Sequence, residues 1–109
     1  MESRAERVAK NEALFREVNE RIREVARPAS PGEPSDFLCE CGKRECTEPI
    51  GLTLAEYEEV RSDPTRFVVA PGHVVADVED AIASTDRYAV VGKRSPAAVR
   101  IAEEHDPRK

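Results

Sequence analysis

The sequence predicts an α+β fold in which one long N-terminal helix precedes a small module of short strands and helices. Three observations favour this fold. An amphipathic pattern continues over residues 3–27, short β-branched runs follow in the second half of the chain, and three cysteines cluster between these two parts. Of the 109 residues 36% are charged and none is Trp, so the chain can bury only one small core. A core of this size usually needs an additional stabilising link, such as disulfides or a structural metal ion.

The first element is a long amphipathic helix with both of its ends marked in the sequence. Ser3 and Glu6 have the spacing of a capping box, and Pro28 prevents continuation of the helix. Apolar side chains recur at heptad spacing and predict one buried face: Val8, Phe15, Val18, Ile22 and Val25, with the polar Asn11 in the remaining position. We therefore predict a helical arm over residues 1–28.

A proline-rich segment separates this arm from the rest of the chain. The stretch from Pro28 to Ser35 holds three prolines and a glycine and shows no apolar periodicity, which is typical of a linker. The sequence thus predicts a linker at 29–36, a separate α+β module at 37–105 and a tail at 106–109.

Within the module, local signals predict two short helices and a small antiparallel sheet. Thr53 with Glu56 is a second capping pair, and the helix that it starts ends before Asp63-Pro64. Ser95-Pro96 begins a final helix. Three segments are predicted as strands, with the hairpin turn at residues 83–86: residues 66–70, residues 74–83 and residues 87–93.

The three cysteines lie within eight residues as Cys-x-Cys-x4-Cys. In an extended segment Cys39 and Cys41 point to one side, and the intervening turn, with Gly42 at the chain reversal, returns Cys46 to them. An intracellular chain has little use for a disulfide, and this arrangement suits a tetrahedral zinc ion. Lys43 and Arg44 in the turn are expected to offset part of the thiolate charge.

A structural zinc site needs a fourth ligand. His73 is the first choice, because it follows a strand and a Pro-Gly turn, whereas the only other histidine, His105, lies in the charged C-terminal segment. Asp36 and Glu40 are the alternatives. The predicted metal ligands are therefore Cys39, Cys41, Cys46 and His73.

Two segments of the chain have a familiar pattern. FLCECGKREC followed by IGLTLAEYEEVRSDPTRFVVAPGH resembles a group of small actinobacterial proteins of unassigned function, which share Phe-x-Cys-x-Cys-x4-Cys, Leu-Thr-x-x-Glu-Tyr-Glu and Pro-Gly-His segments. The resemblance covers residues 10–93, including the helix NEALFREVNERI. It implies that the cysteines and His73 form one site, and it implies no substrate or partner.

The sequence lacks the patterns of common enzymes. Glu40 lies between two cysteines, but the His-x-Glu and Pro-Cys-x-x-Cys halves of a zinc deaminase do not occur, and neither does a phosphate loop or a Gly-x-Ser-x-Gly turn. The acidic run of Asp77, Glu79 and Asp80 lacks the rest of a calcium loop, so we interpret it as a solvated face. We expect a protein without catalytic activity.

Charge and hydropathy limit the remaining function classes. The net charge is −5, and residues 1–28 carry seven basic against six acidic side chains, so nucleic acid is an unfavourable partner. No apolar run is long enough to span a membrane, and we expect a cytoplasmic protein. The predicted function is that of a zinc-binding adaptor whose helical arm binds a protein partner or a second copy. The alternatives are a zinc- or redox-responsive regulator and a ribosome-associated or nucleic-acid-binding zinc protein.

Overall fold

A computed structural model of the chain describes residues 3–28, 30, 32–43, 45, 46 and 48–108. The predicted α+β fold is confirmed, with helices and strands that follow one another in mixed order. The elements are α1 (Arg4–Val25), β1 (Ser35–Leu38), β2 (Pro49–Leu52), α2 (Leu54–Arg61), β3 (Arg66–Val69), β4 (Glu79–Ser84), β5 (Ala89–Lys93) and α3 (Pro96–Glu104).

All three helices begin where the sequence predicts. The Ser3 hydroxyl accepts a hydrogen bond from the Glu6 backbone in α1, and the Thr53 hydroxyl accepts one from the Glu56 backbone in α2; each glutamate returns a bond to the cap. Ser95 caps α3 in the same way without the return bond. These caps satisfy backbone N–H groups that have no partner inside the helix.

The strands form two small antiparallel sheets. One pairs β1 with β2, and the other has the order β3-β5-β4. Several boundaries differ from the prediction, and the strand predicted over residues 74–83 begins only at Glu79. The predicted linker extends too far, because Ser35 and Asp36 already pair with β2. The hairpin turn lies later than predicted, and the Thr85 backbone N–H closes it by donating to the Tyr88 carbonyl at 2.8 Å.

The core lies between the two sheets and α2. Phe37 of β1 stacks on Tyr57 of α2 with ring centroids 4.5 Å apart, and both rings are fully buried. Phe67 and Val91 add the apolar face of the second sheet. Burying such side chains contributes roughly 1.5–3 kcal/mol each.

Helix α1 packs against β1 and α3, so the N-terminal segment is folded back onto the module. The predicted buried face is only partly correct: Ile22 packs against the main core and Val8 packs against Gly42, but Val18 is 38% exposed and Val25 is 72% exposed. The face that is buried combines small and polar residues: Ala9, Glu12, Ala13, Arg16 and Asn19.

Polar side chains are buried there because they find partners on the module. The Arg16 guanidinium donates to the Pro64 carbonyl at 2.6 Å and also to the Arg66 carbonyl, and it lies 3.7 Å from the centre of the Phe67 ring. Because these buried residues are small or polar, the helical spacing of large apolar residues in the sequence does not indicate this face. Within the part of the chain that the structure describes, every helix is too short or too polar to serve as a membrane span.

Candidate metal centre

Four side chains from two parts of the chain converge at one end of the core. Cys39 and Cys41 follow β1, Cys46 follows the turn after them, and His73 follows β3. Gly72 has a φ of 83°, which suits a residue without a side chain, and the His73 N–H donates to the Ala70 carbonyl at 3.0 Å. This turn holds the imidazole over the cysteines.

The ligand atoms of these four residues all lie within 4.8 Å of one another. His73 Nδ1 is 3.5 Å from Cys39 Sγ and 3.7 Å from Cys46 Sγ. In a tetrahedral zinc site with ordinary bond lengths, a sulfur and a nitrogen ligand are about 3.6 Å apart. The group therefore has the size of a metal coordination sphere, and it consists of the residues that the sequence predicts.

Burial and backbone hydrogen bonds act in opposite directions on the pKa values of the two buried thiols. Burial raises the pKa of Cys39 and of Cys41 above the ordinary thiol value. Backbone N–H groups act in the opposite direction: the Ala70 N–H donates to Cys39 Sγ at 3.1 Å, and that of Lys43 lowers the pKa of Cys41. Such bonds help to stabilise metal-bound thiolates, and a bound metal ion would supply the remaining charge.

Sequence reasoning missed Glu48, whose side chain lies beside the candidate site. Its carboxylate Oε2 lies 3.9 Å from His73 Nε2, on the side of the ring away from the cysteines, and its backbone carbonyl accepts a bond from the Cys39 N–H at 2.9 Å. At 3.9 Å the two atoms are too far apart for a hydrogen bond, so Glu48 acts on the imidazole only as a neighbouring negative charge. One glutamate in a chain this rich in charge carries no sequence signal for this position.

The site is closed on one side and open on the other. Cys39 and Cys41 are buried in the core, whereas Cys46 is half-buried and the His73 side chain is 26% exposed. Four protein ligands leave no coordination position for water, which is the pattern of a structural site.

The alternative ligands lie elsewhere. Asp36 is exposed on β1, and His105 is exposed at the end of α3. Glu40 is fully buried, and its carboxylate accepts bonds from Asn19 Nδ2 at 2.9 Å and from the Val68 N–H at 3.0 Å. Since consecutive residues of an extended segment point to opposite sides, Glu40 faces α1 and β3 while the cysteines face His73.

The predictions for the basic turn of Lys43 and Arg44 and for the acidic run at residues 77–80 have different outcomes. Lys43 is exposed, and Arg44 lies outside the described residues. Asp77 and Asp80 are exposed and form ion pairs with arginines, as expected of a solvated face. The prediction is wrong for Glu79, which is buried and accepts a bond from Lys93 Nζ at 2.8 Å.

Comparison of the chain with protein-family models, with curated proteins and with solved structures finds no match. The resemblance to small actinobacterial proteins therefore stays a prediction. The geometry of the site itself therefore indicates what the protein can bind.

Proposed function

We propose that the protein binds one zinc ion through Cys39, Cys41, Cys46 and His73 and that the ion is structural. The convergence of three sulfurs and one imidazole nitrogen within 4.8 Å carries this proposal. Thiolate and imidazole ligands in a tetrahedral arrangement select zinc over magnesium and calcium, which prefer oxygen.

The ion would reinforce the contact between the two sheets. Cys39 ends the first sheet, and His73 belongs to the turn that leaves the second sheet. A zinc ion bound to both links the two sheets across the small core. Such a link would supply the additional stability that a core of this size requires.

Metal analysis of protein purified without denaturant tests this assignment. We expect one zinc per chain, its loss in Cys41→Ser, and sharply weaker binding in His73→Ala. His105→Ala is the matched control and should bind zinc as the wild type does. Wild-type protein with free thiols and no zinc would contradict the proposal, and an unchanged tetrahedral cobalt spectrum in His73→Ala would exclude the histidine.

We further propose that the exposed face of α1 is an interaction surface. Leu14 is 56% exposed and Val25 is 72% exposed, and Val18 lies between them on the same side of the helix. Large apolar side chains aligned on one helix face favour contact with another protein.

The favoured occupant is a second copy of this chain. Glu17 and Arg21, both exposed, carry opposite charges along this face. In an antiparallel pair of α1 helices, Glu17 of one copy lies opposite Arg21 of the other, and Leu14 lies beside Val25. Attraction between these charges favours this register.

Light scattering of the zinc-loaded protein tests self-association. We expect a dimer that Val18→Ser weakens, with no loss of thermal stability because the side chain is exposed. Glu17→Arg and Arg21→Glu should each weaken the dimer, and their combination should restore it. A wild-type monomer at high concentration would exclude the second copy and leave a different protein as the partner.

The exposure of Cys46 and His73 favours a second candidate, a zinc-responsive regulator. Solvent reaches two of the four ligands, so a chelator or an oxidant can attack the site from that side. Zinc exchange with a chelator separates the two functions. Release within seconds supports regulation, and retention for hours supports a structural ion.

A further inference from the structure

Three of the four outer strand edges of the two sheets are bonded by groups from neighbouring elements. On β3, the Glu40 N–H donates to the Val68 carbonyl at 2.8 Å, and the Glu40 carboxylate accepts from the Val68 N–H at 3.0 Å. On β1, the side-chain amide of Asn19 bonds in the same way to both backbone groups of Leu38, at 2.9 and 2.8 Å. These contacts prevent another strand from pairing there.

The outer edge of β4 differs from the other three. On β2, the Gly51 carbonyl accepts a hydrogen bond from Arg87 Nη1 at 2.9 Å. On β4, by contrast, no described residue outside β5 hydrogen-bonds to the backbone of residues 80–84, and all five residues are exposed. Alternate N–H and C=O groups of this strand therefore face solvent and can pair with an added strand.

A β-bulge limits what can add to this edge. The pairing of β4 with β5 shifts between Ala81 and Ala83. Bulges bend a strand and disfavour the pairing of two long sheet edges. The edge therefore suits a short extended segment better than the β4 strand of a second copy.

A cleft of about 130 Å³ lies beside this edge, between α2 and the second sheet. Pockets for whole small molecules usually begin at about 300 Å³, so this cleft suits a single side chain. Its apolar lining consists of Val60, Ile82, Ala83 and Val90. Its polar lining consists of Glu56, Glu59, Arg66 and Tyr88.

The charges that line the cleft leave one carboxylate available. Glu56 pairs with Arg87 at 2.7 Å, and Arg66 pairs with Asp63 at 3.6 Å. Glu59 is exposed, and no basic side chain in the described part of the chain forms an ion pair with it. A lysine or arginine matches this lining, because its aliphatic stem packs on apolar surface while its cationic head stays at the exposed carboxylate.

We propose that β4 binds a short, extended, basic segment of another protein, which pairs with β4 as a fourth strand and inserts a lysine or arginine into the cleft. Main-chain hydrogen bonds to residues 80–84 supply affinity, and Glu59 selects the basic side chain. Paired strands are about 4.8 Å apart, so a long side chain on the added strand reaches the cleft across Ile82. Neither β4 nor α2 carries a predicted metal ligand, so the proposal does not rest on zinc.

Titration of the zinc-loaded protein with the end-blocked peptide Thr-Val-Lys-Val-Lys-Val-Thr tests this proposal. We expect saturable binding that Glu59→Gln weakens by about tenfold, as expected for the loss of one charged hydrogen-bond partner. Glu103→Gln removes the same charge from an exposed position on α3 and should leave binding unchanged. Amide hydrogen exchange of residues 80–84 should slow in the complex.

A peptide methylated at every internal backbone nitrogen keeps its charge but loses its N–H groups, and it should bind much more weakly. Equal weakening by Glu59→Gln and Glu103→Gln, or binding without slower exchange in β4, shows general charge attraction and overturns the proposal. The absence of saturable binding also overturns it. Exchange in β4 that slows with protein concentration alone assigns the edge to a second copy instead. None of these results bears on the metal assignment, which zinc content tests separately.

Discussion

Gly42 shows how one residue connects the candidate metal site to α1. The sequence places it at a chain reversal, where a glycine often adopts a positive φ. Among the described glycines only Gly32 and Gly72 do so. Gly42 is needed for a different reason, because Val8 of α1 occupies the space of its missing side chain. The close approach brings the helix onto the cysteine turn.

We predict that Gly42→Ala lowers the free energy of unfolding by about 1–3 kcal/mol, the usual cost of overpacking. The new Cβ would be 2.5 Å from Val8 Cγ1 and 3.2 Å from Val8 Cα, so both side chain and backbone must shift. Urea unfolding of the zinc-loaded protein measures the change. Gly51→Ala is the control, since its Cβ would meet only Pro34 at an ordinary 3.6 Å.

A second variant tests the cause. Val8→Ala removes the nearest atom, so adding it to Gly42→Ala should recover part of the lost stability. If the double variant is destabilised by the sum of the two single changes, the contact between these residues does not explain the effect of Gly42→Ala.

At the scale of elements, a buried charge cluster joins α1 to the second sheet. Lys93 of β5 forms ion pairs with Glu12 of α1 and Glu79 of β4, and all three side chains are fully buried. The second carboxylate oxygen of Glu12 has no hydrogen-bond partner. Burial raises the pKa of Glu12 well above its ordinary value, with Lys93 acting in the opposite direction and Glu79 raising it further.

This cluster makes part of the stability depend on pH. Because the pKa of Glu12 is higher in the folded state, its contribution to stability is fully present below the unfolded value of 4.5 and is lost as the pH rises through the folded value. We predict that Glu12→Gln gains stability relative to the wild type as the pH rises from 5 to 8. Urea unfolding of both proteins across this range measures the difference.

Glu56 is a suitable control, because its pKa is shifted in the opposite direction to that of Glu12. A hydrogen bond from Arg87 lowers the pKa of Glu56 to about 2, so its contribution is present above 4.5 and is lost as the pH falls toward 2. Glu56→Gln should therefore be the less stable protein at neutral pH and approach the wild type in acid. Parallel pH profiles for the two variants would contradict the assignment of the buried cluster.

For the whole molecule, the cysteine segment connects elements that are distant in the chain. The Cys39 N–H donates to Glu48 just before β2, and the Glu40 N–H donates to Val68 of β3 at 2.8 Å. The thiols of Cys39 and Cys41 belong to the main core cluster. The proposed zinc ion would thus strengthen a junction on which both sheets depend.

We predict that removing zinc with a chelator lowers the melting temperature and that adding zinc restores it. The energy of binding a structural zinc ion is of the order of 10 kcal/mol and contributes to folding stability, so a core this small should lose much of its stability without the metal. Circular dichroism during heating measures the change. Magnesium in place of zinc should not restore the melting temperature, and an unchanged melting temperature after complete zinc removal would show that the ion is not structural.

The sequence by itself determined the local features of this protein. Each helix start depends on a hydroxyl and a backbone N–H three residues later, which are neighbours in the chain. The grouping of Cys39, Cys41 and Cys46 follows from their short spacing. His73 was a candidate because the chain has only one other histidine, in its charged C-terminal segment.

Only the tertiary structure decided which surfaces meet. The buried face of α1 contains Arg16 and Asn19 because carbonyl groups of β1 and of the segment around β3 accept their hydrogen bonds, and those partners are distant in the chain. The same reason places Glu40 against α1, where Asn19 donates a hydrogen bond to its carboxylate. A polar residue is buried when the fold supplies it with a partner, and local sequence does not specify that partner.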